Sequence, residues 1–224
     1  MRYVTTPQRG DGFGATFHHY IYDILYAKAH GDQYVFTPQK AYEHNYKGDS
    51  NFVSNLNKYM GLAEVYPVPE GIVNLETNDR EQVYKYIEEH LDEVFESEEF
   101  KKIQAAFFKD KKNPYDESYY NVAVHIRRIN GHDTNSDFSK TPNIWYRKVM
   151  EYIASTYEGS KPIQFHIYSQ RQLLELGTQE FDDLQPIYHI DEDLEESFTA
   201  ICFGRVKNMH TLYSIWIHSI FITP

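Results

Sequence analysis

Residues 121–128, NVAVHIRR, form an apolar run that ends in a histidine and two adjacent arginines. A guanidinium stays charged at any relevant pH and presents a planar fork of donors that matches phosphate oxygens. Held at the end of a strand, Arg127 and Arg128 suit a diphosphate, and strand ends are where α/β proteins gather ligand-binding groups. Neighbouring side chains on a strand point to opposite faces. His125 therefore shares a face with Arg127, and Arg128 points away or curls back from the following loop. A surface strand ending in solvated charges has the same local pattern.

A second candidate lies near the N-terminus, where GDGFG at residues 10–14 follows a short apolar stretch. Phe17, Tyr20, Ile21, Ile24, Leu25 and Lys28 then recur at helical spacing. The order is strand, glycine loop, helix. Glycines let a backbone come close to a ligand, and a helix N-terminus offers N–H groups and a positive dipole end to an anion. GDGFG lacks the third glycine of the dinucleotide fingerprint, and a plain tight turn fits it as well. His18, His19 and His44 have no partners at metal-ligand spacing and read as helix and loop polar groups. Asp191, Glu192 and Asp193 include a DxD, but acids at a helix start are the better reading of that position.

These groups need a scaffold, and the chain supplies an alternating one. Strand patterns fall at residues 1–5, 33–36, 121–128, 163–168 and 187–190. Helical patterns fall at 52–60, 79–95, 98–108, 144–157 and 193–203. Alternation of this kind predicts an α/β fold with parallel sheets and right-handed crossovers. The charged, turn-rich stretch 109–120 marks a domain boundary, dividing 1–118 from 119–224. Residues 129–143 are polar and rich in turn formers, and an exposed loop is expected there.

Composition narrows the function. With 22 Lys and Arg against 33 Asp and Glu, the formal net charge is −11, which argues against a general nucleic-acid binder. Local arginines on such a background suit one small anionic ligand. The 20 tyrosines could line a sugar or nucleotide cleft, and strand packing accounts for them equally. Cys202 is the single cysteine, which excludes an internal disulfide and indicates no zinc cluster. Neither a secretory signal nor an apolar run of ~20 residues is evident, so a cytoplasmic location without a membrane span is expected.

In order and spacing, the glycine loop with its helix (residues 10–38), VAVHIRR and then FHIYSQ (165–170) resemble the fucosyltransferase superfamily of α-1,2, α-1,6 and protein O-fucosyltransferases. YEHNY (42–46) and HIDEDLEESFTA (189–200) are similar to cytosolic or viral-type members. The resemblance implies a GT-B-like architecture of two Rossmann-like domains, the first on the acceptor side and the second holding the nucleotide sugar. It also implies inverting, metal-independent transfer of L-fucose from GDP-fucose to a glycan hydroxyl, with no cofactor beyond the donor. Carried over residue by residue, His125 lies near the nucleotide and Arg127 and Arg128 on the diphosphate. Gly12 and Gly14 correspond to the family's N-terminal glycines, and Ser169 to the serine ending the next long strand. A carboxylate must take the acceptor proton, and Asp133 and Asp137, in the loop after the arginines, are the candidates.

Departures from the family pattern leave room for a second reading. Ala15 and Thr16 stand where many members have Asn-Gln, and Gln170 where an acid often follows the serine. Residues 205–224 do not resemble the family's closing elements, so an incomplete second domain is expected, and their apolar density is a possible homo-oligomer or aggregation surface. The alternative is a degenerate or partner-dependent GDP-sugar-binding module without transferase activity.

Overall fold

The computed structural model describes residues 2–45, 47–126, 128, 141–169 and 177–204. Arg127, Asp133, Asp137, Gln170, most of the polar stretch 129–143 and the 205–224 tail lie outside the described residues. The fold is mixed α/β with parallel sheets, in two compact units, Met1–Lys112 and Asn113–Pro224.

In the first unit, β1 (Tyr3–Val4) runs parallel to β2 (Gln33–Tyr34), with α1 (Phe13–Ala29) between them in sequence. Val4 also bridges to Glu76 in parallel. Both strands are shorter than their apolar patterns, because past them the backbone bonds pass to other segments: Thr5 N donates to Glu76 O at 2.9 Å and Phe36 N to Tyr66 O at 2.7 Å. Tyr20 Oη donates to Thr37 O at 2.6 Å, Arg9 N donates to Gln39 Oε1 at 2.7 Å, and Asn57 Nδ2 donates to Gln39 O at 2.8 Å. α1 packs on β2 and on two later helices. Those helices are α3 (Arg80–Glu89) and α5 (Glu98–Phe108), while α2 (Phe52–Tyr59) and α4 (Leu91–Glu96) complete the unit.

The single helix expected over 79–95 is two, α3 and α4, divided at His90 (φ −124°, ψ 30°). Its ring stacks on Tyr86 at 4.2 Å and its Nδ1 lies 2.9 Å from Tyr86 O, so the side chain shares the carbonyl on which the helix would otherwise build. Capping explains the starts of α3 and α5. Asp79 Oδ1 accepts from Gln82 N, and Ser97 Oγ from Phe100 N, each using an N–H that the helix leaves without an internal partner.

The second unit is a three-stranded parallel sheet in the order β3 (Tyr120–Ile126), β4 (Ile163–Ser169), β5 (Ile187–Ile190). Period-2 alternation divides its side chains between two faces. Tyr120, Val122 and Ile126 of β3 join Phe165 and Ile167 of β4 in a core closed by Met150 of α6 (Asn143–Thr156) and by Phe181, which is fully buried. The opposite face meets α7 (Leu194–Phe203) through Tyr115, Ala123, Tyr168, Ala200, Ile201 and Phe203. Gly204, which ends α7, lies so close to β3 that an added Cβ would stand 2.7 Å from Ala123 Cβ. Asp193 caps α7 by accepting from Glu195 N, so the acids that read as a DxD include a helix cap. No described helix is long and apolar enough to cross a membrane.

Candidate functional site

The β3–β4 register pairs His125 with Tyr168 and Ile126 with Ser169, so the carboxyl ends of both strands finish level. In open parallel sheets that edge is where ligands sit, because the crossovers leave a crevice there. His125, half-buried on the face opposite Ile126, and Ser169 belong to this edge. The Ser169 hydroxyl donates to Ile126 O at 2.7 Å, spending its proton on closing the strand pair. Ser169→Ala should therefore cost about 1 kcal/mol and loosen the ends of β3 and β4. Faster amide hydrogen exchange confined to those ends would be the sign, and unchanged exchange would rule it out.

Arg128 follows the edge and turns toward α6. Its guanidinium donates to Thr141 O at 3.3 Å and to Asn143 Oδ1, and lies 5.8 Å from the centre of the Tyr146 ring. Asn143 is itself buried and reaches Glu180 Oε1 at 3.3 Å through Nδ2. Arg147, one turn on, grips Asp183 with two bonds of 2.7 and 2.5 Å. The start of α6 is thus tied both to Arg128 and to residues 177–183. It has no acid in its first turn. Asn143 was not among the residues singled out in the sequence, where an asparagine at a helix start reads as an ordinary capping residue.

Asp191 closes the edge on the β5 side. It adopts φ 54°, a left-handed conformation that asparagine and aspartate tolerate better than most residues, and its N–H donates to Ser169 O at 3.1 Å. The described part of the edge therefore comprises His125, Arg128, Ser169, Asp191 and the first turn of α6.

Gly12 and Gly14 belong to the other unit. Gly12 is the N-cap of α1 and Gly14 lies in its first turn. A Cβ on Gly12 would stand 3.1 Å from His44 Cδ2, so the glycine accommodates the His44 ring, whose backbone is left-handed at φ 71°. His18 and His19 lie on α1 against Tyr22 and Tyr84, with His19 Nδ1 3.3 Å from Tyr84 Oη. Burial holds the His18 imidazole down to about 3 and that of His19 to about 4. Near them Asp23 is also buried, and burial pushes its carboxyl up to about 7, against the opposing pull of a Thr6 hydrogen bond and the Arg9 charge. Asp23 was not among the residues that motif and spacing single out. Its signal was an acid three residues after Tyr20 and next to Ile24, inside the apolar stripe of α1. Among the described residues no group of three or more His, Cys, Asp or Glu side chains could hold a metal ion.

No family model matches the sequence, and no curated protein matches it. Among solved structures the chain is similar to the α-1,6-fucosyltransferase NodZ soaked with GDP-fucose, at 14% identity and TM-score 0.37, over 91% of this chain and 81% of that one. It is likewise similar to the fucosyltransferase NodZ from Bradyrhizobium, at 11% identity and TM-score 0.34, over 91% and 82%. A NodZ structure co-crystallised with GDP is similar at 12% identity and TM-score 0.36, over 91% and 82%.

Proposed function

We propose that the chain is a glycosyltransferase of GT-B type that transfers L-fucose from GDP-fucose to a glycan hydroxyl, with inversion and without a metal ion. The observation that carries this reading is the junction of motif and edge. His125 lies on β3, whose last residue Ile126 pairs with Ser169 of β4 at the carboxyl edge of a parallel sheet, and Arg127 and Arg128 follow in the sequence. Breaking the bond between fucose and diphosphate builds positive charge on the sugar ring and negative charge on the departing oxygens. Arg127 and Arg128 would stabilise the leaving diphosphate. Arg128 is preorganised by Thr141 and Asn143, and donors already in place need no reorganisation as charge develops. His125 and Ser169 would contact the nucleotide, and Asp133 would take the acceptor proton. Gly12 and Gly14, at the start of α1, would belong to the acceptor-side unit.

Calorimetric titration of the purified chain with GDP and with GDP-fucose, in chelator, tests the reading beside Arg127→Ala. The expected result is saturable binding of both ligands, weakened about tenfold to a hundredfold in the variant, as befits losing one charge-assisted contact. A folded wild-type chain that binds neither ligand rules out the donor site. Ala15, Thr16 and Gln170, where the family pattern has other residues, favour a second reading as a binding module. Binding of GDP-fucose without release of GDP in the presence of glycan acceptors would select it.

A further inference from the structure

On the face of the second sheet that meets α7, polar side chains cross the strands in a row. Asn121 of β3, His166 of β4 and His189 of β5 lead to Glu192 in the turn before α7. His166 Nε2 lies 3.0 Å from Asn121 Oδ1, His166 Nδ1 lies 3.0 Å from His189 Nε2, and His189 Nδ1 lies 2.8 Å from Glu192 Oε1. Both ends of the row are acceptors. The Asn121 amide cannot be turned round, because its Nδ2 donates to Asp116 O at 2.7 Å and to Tyr119 O at 3.2 Å, leaving Oδ1 for His166. Glu192 is exposed and ends the row as a carboxylate.

Proton counting then decides the state of the row. Three hydrogen bonds between two terminal acceptors need three N–H protons on the two rings, whereas two neutral imidazoles carry two. The geometry points to a proton-binding site: His166 and His189 form an imidazole–imidazolium pair that takes up one shared proton and, holding it, clamps the 190–193 turn to the sheet. Nothing in this depends on the chain's binding a sugar nucleotide.

The surroundings keep that charge off His166. His166 is buried, and burial followed by the charge of His189 holds its imidazole down to about 4. His189 meets Glu192 on one side, and its ring stacks on Tyr168 at 4.3 Å, an electron-rich face turned to a cation. Tyr115 faces His166 with ring centres 4.5 Å apart and shares a 3.0 Å hydroxyl contact with Tyr168. Burial raises both phenols, Tyr168 to about 12 and Tyr115 further, so neither takes the proton's place as a counter-charge. From β3, His125 stands beside Tyr168 in register. From α7, Cys202 interacts with Tyr115, and Glu195 and Glu196 occupy the first turn.

When the proton leaves, one of the three contacts becomes acceptor against acceptor. The turn it releases contains Asp191, whose N–H bonds Ser169 at the carboxyl edge.

The experiment is long-range proton–nitrogen NMR of the full chain, labelled with nitrogen-15 in histidine, between pH 5 and 9, beside Glu192→Gln. At low pH one ring of the pair should show both nitrogens protonated and the other only Nε2, and the two should change together in a single titration. Glutamine keeps the acceptor oxygen and removes the charge, so the variant should move that titration to lower pH by about 1 unit or more. Two singly protonated rings across the whole range would overturn the proposal. So would independent titrations, or a shared titration that Glu192→Gln leaves in place.

Discussion

Asp23→Asn should stabilise the first unit at pH 8 and leave it unchanged at pH 4. Asp23 sits in the buried face of α1, and burial raises its folded value to about 7. A group raised on folding contributes its full stability below its unfolded value near 4 and loses it as pH rises through 7. Above pH 7 the buried carboxylate is ionised, at a cost of ~4 kcal/mol on a shift of about three units. Asparagine has the same shape, can still accept from Thr6 and carries no charge, so the variant should recover most of that cost at pH 8. Hydrogen exchange of the α1 amides in the full chain, compared at the two pH values, measures the difference. A variant less stable than wild type at pH 8 would show instead that the carboxylate and Arg9 repay its burial. The histidines beside it titrate in the opposite sense. His18 and His19 are depressed on folding, so their contribution is intact above ~6.5 and falls away as pH drops toward 4 and 3. Both proteins share that acid loss, which cancels in the comparison.

The second large effect is expected at Gly61. It follows α2 with φ 71°, its N–H donates to Lys58 O at 3.0 Å, and an added Cβ would stand 2.4 Å from Ala106 O and 3.0 Å from Ala106 C. These are backbone atoms of α5, so no rotamer relieves the overlap. Gly61→Ala must then adopt a left-handed conformation, at ~1–2 kcal/mol, and also push α2 away from α5, at a further ~1–3 kcal/mol. That displacement strains the contact in which Lys111 Nζ donates to both Tyr59 O and Phe107 O. Gly31→Ala is the control. Its φ is 74° and nothing lies within 4 Å of the new Cβ, so it should show the backbone cost alone. Urea midpoints of the two variants separate the effects, and equal losses would show that α5 yields to the new methyl group.

Some of this was legible before any fold was known. α5 and β5 fall on the expected residues, α2, α6, α7, β3 and β4 within two of them, and α1 begins four residues before its first patterned residue, Phe17. Each carries its own apolar period or a capping residue at its start, and those signals act between near neighbours in the chain. β1 and β2 are shorter than their patterns because Thr5 and Phe36 bond to Glu76 and Tyr66, and no local period reports such distant partners. The break at His90 depends on where one imidazole ring lies, which spacing alone does not contain.

At the candidate site the division is similar. His125, Arg127, Arg128 and Ser169 were chosen for residue type and position on strands. That β3 and β4 end level follows from their pairing, and the ties of Arg128 to Thr141 and Asn143 from how α6 docks. The order of strands and helices and the chemistry carried to each strand end are written in residues a few positions apart, so the chain alone displays them. Protonation was decided only by the tertiary structure. Asp23 is uncharged or charged according to what buries it. The proton shared by His166 and His189 exists because pairing of β3, β4 and β5 lines up Asn121, His166 and His189, separated along the chain, with Glu192 ending the row as an acceptor. Desolvation and donor counting depend on neighbours in space, and folding alone supplies them.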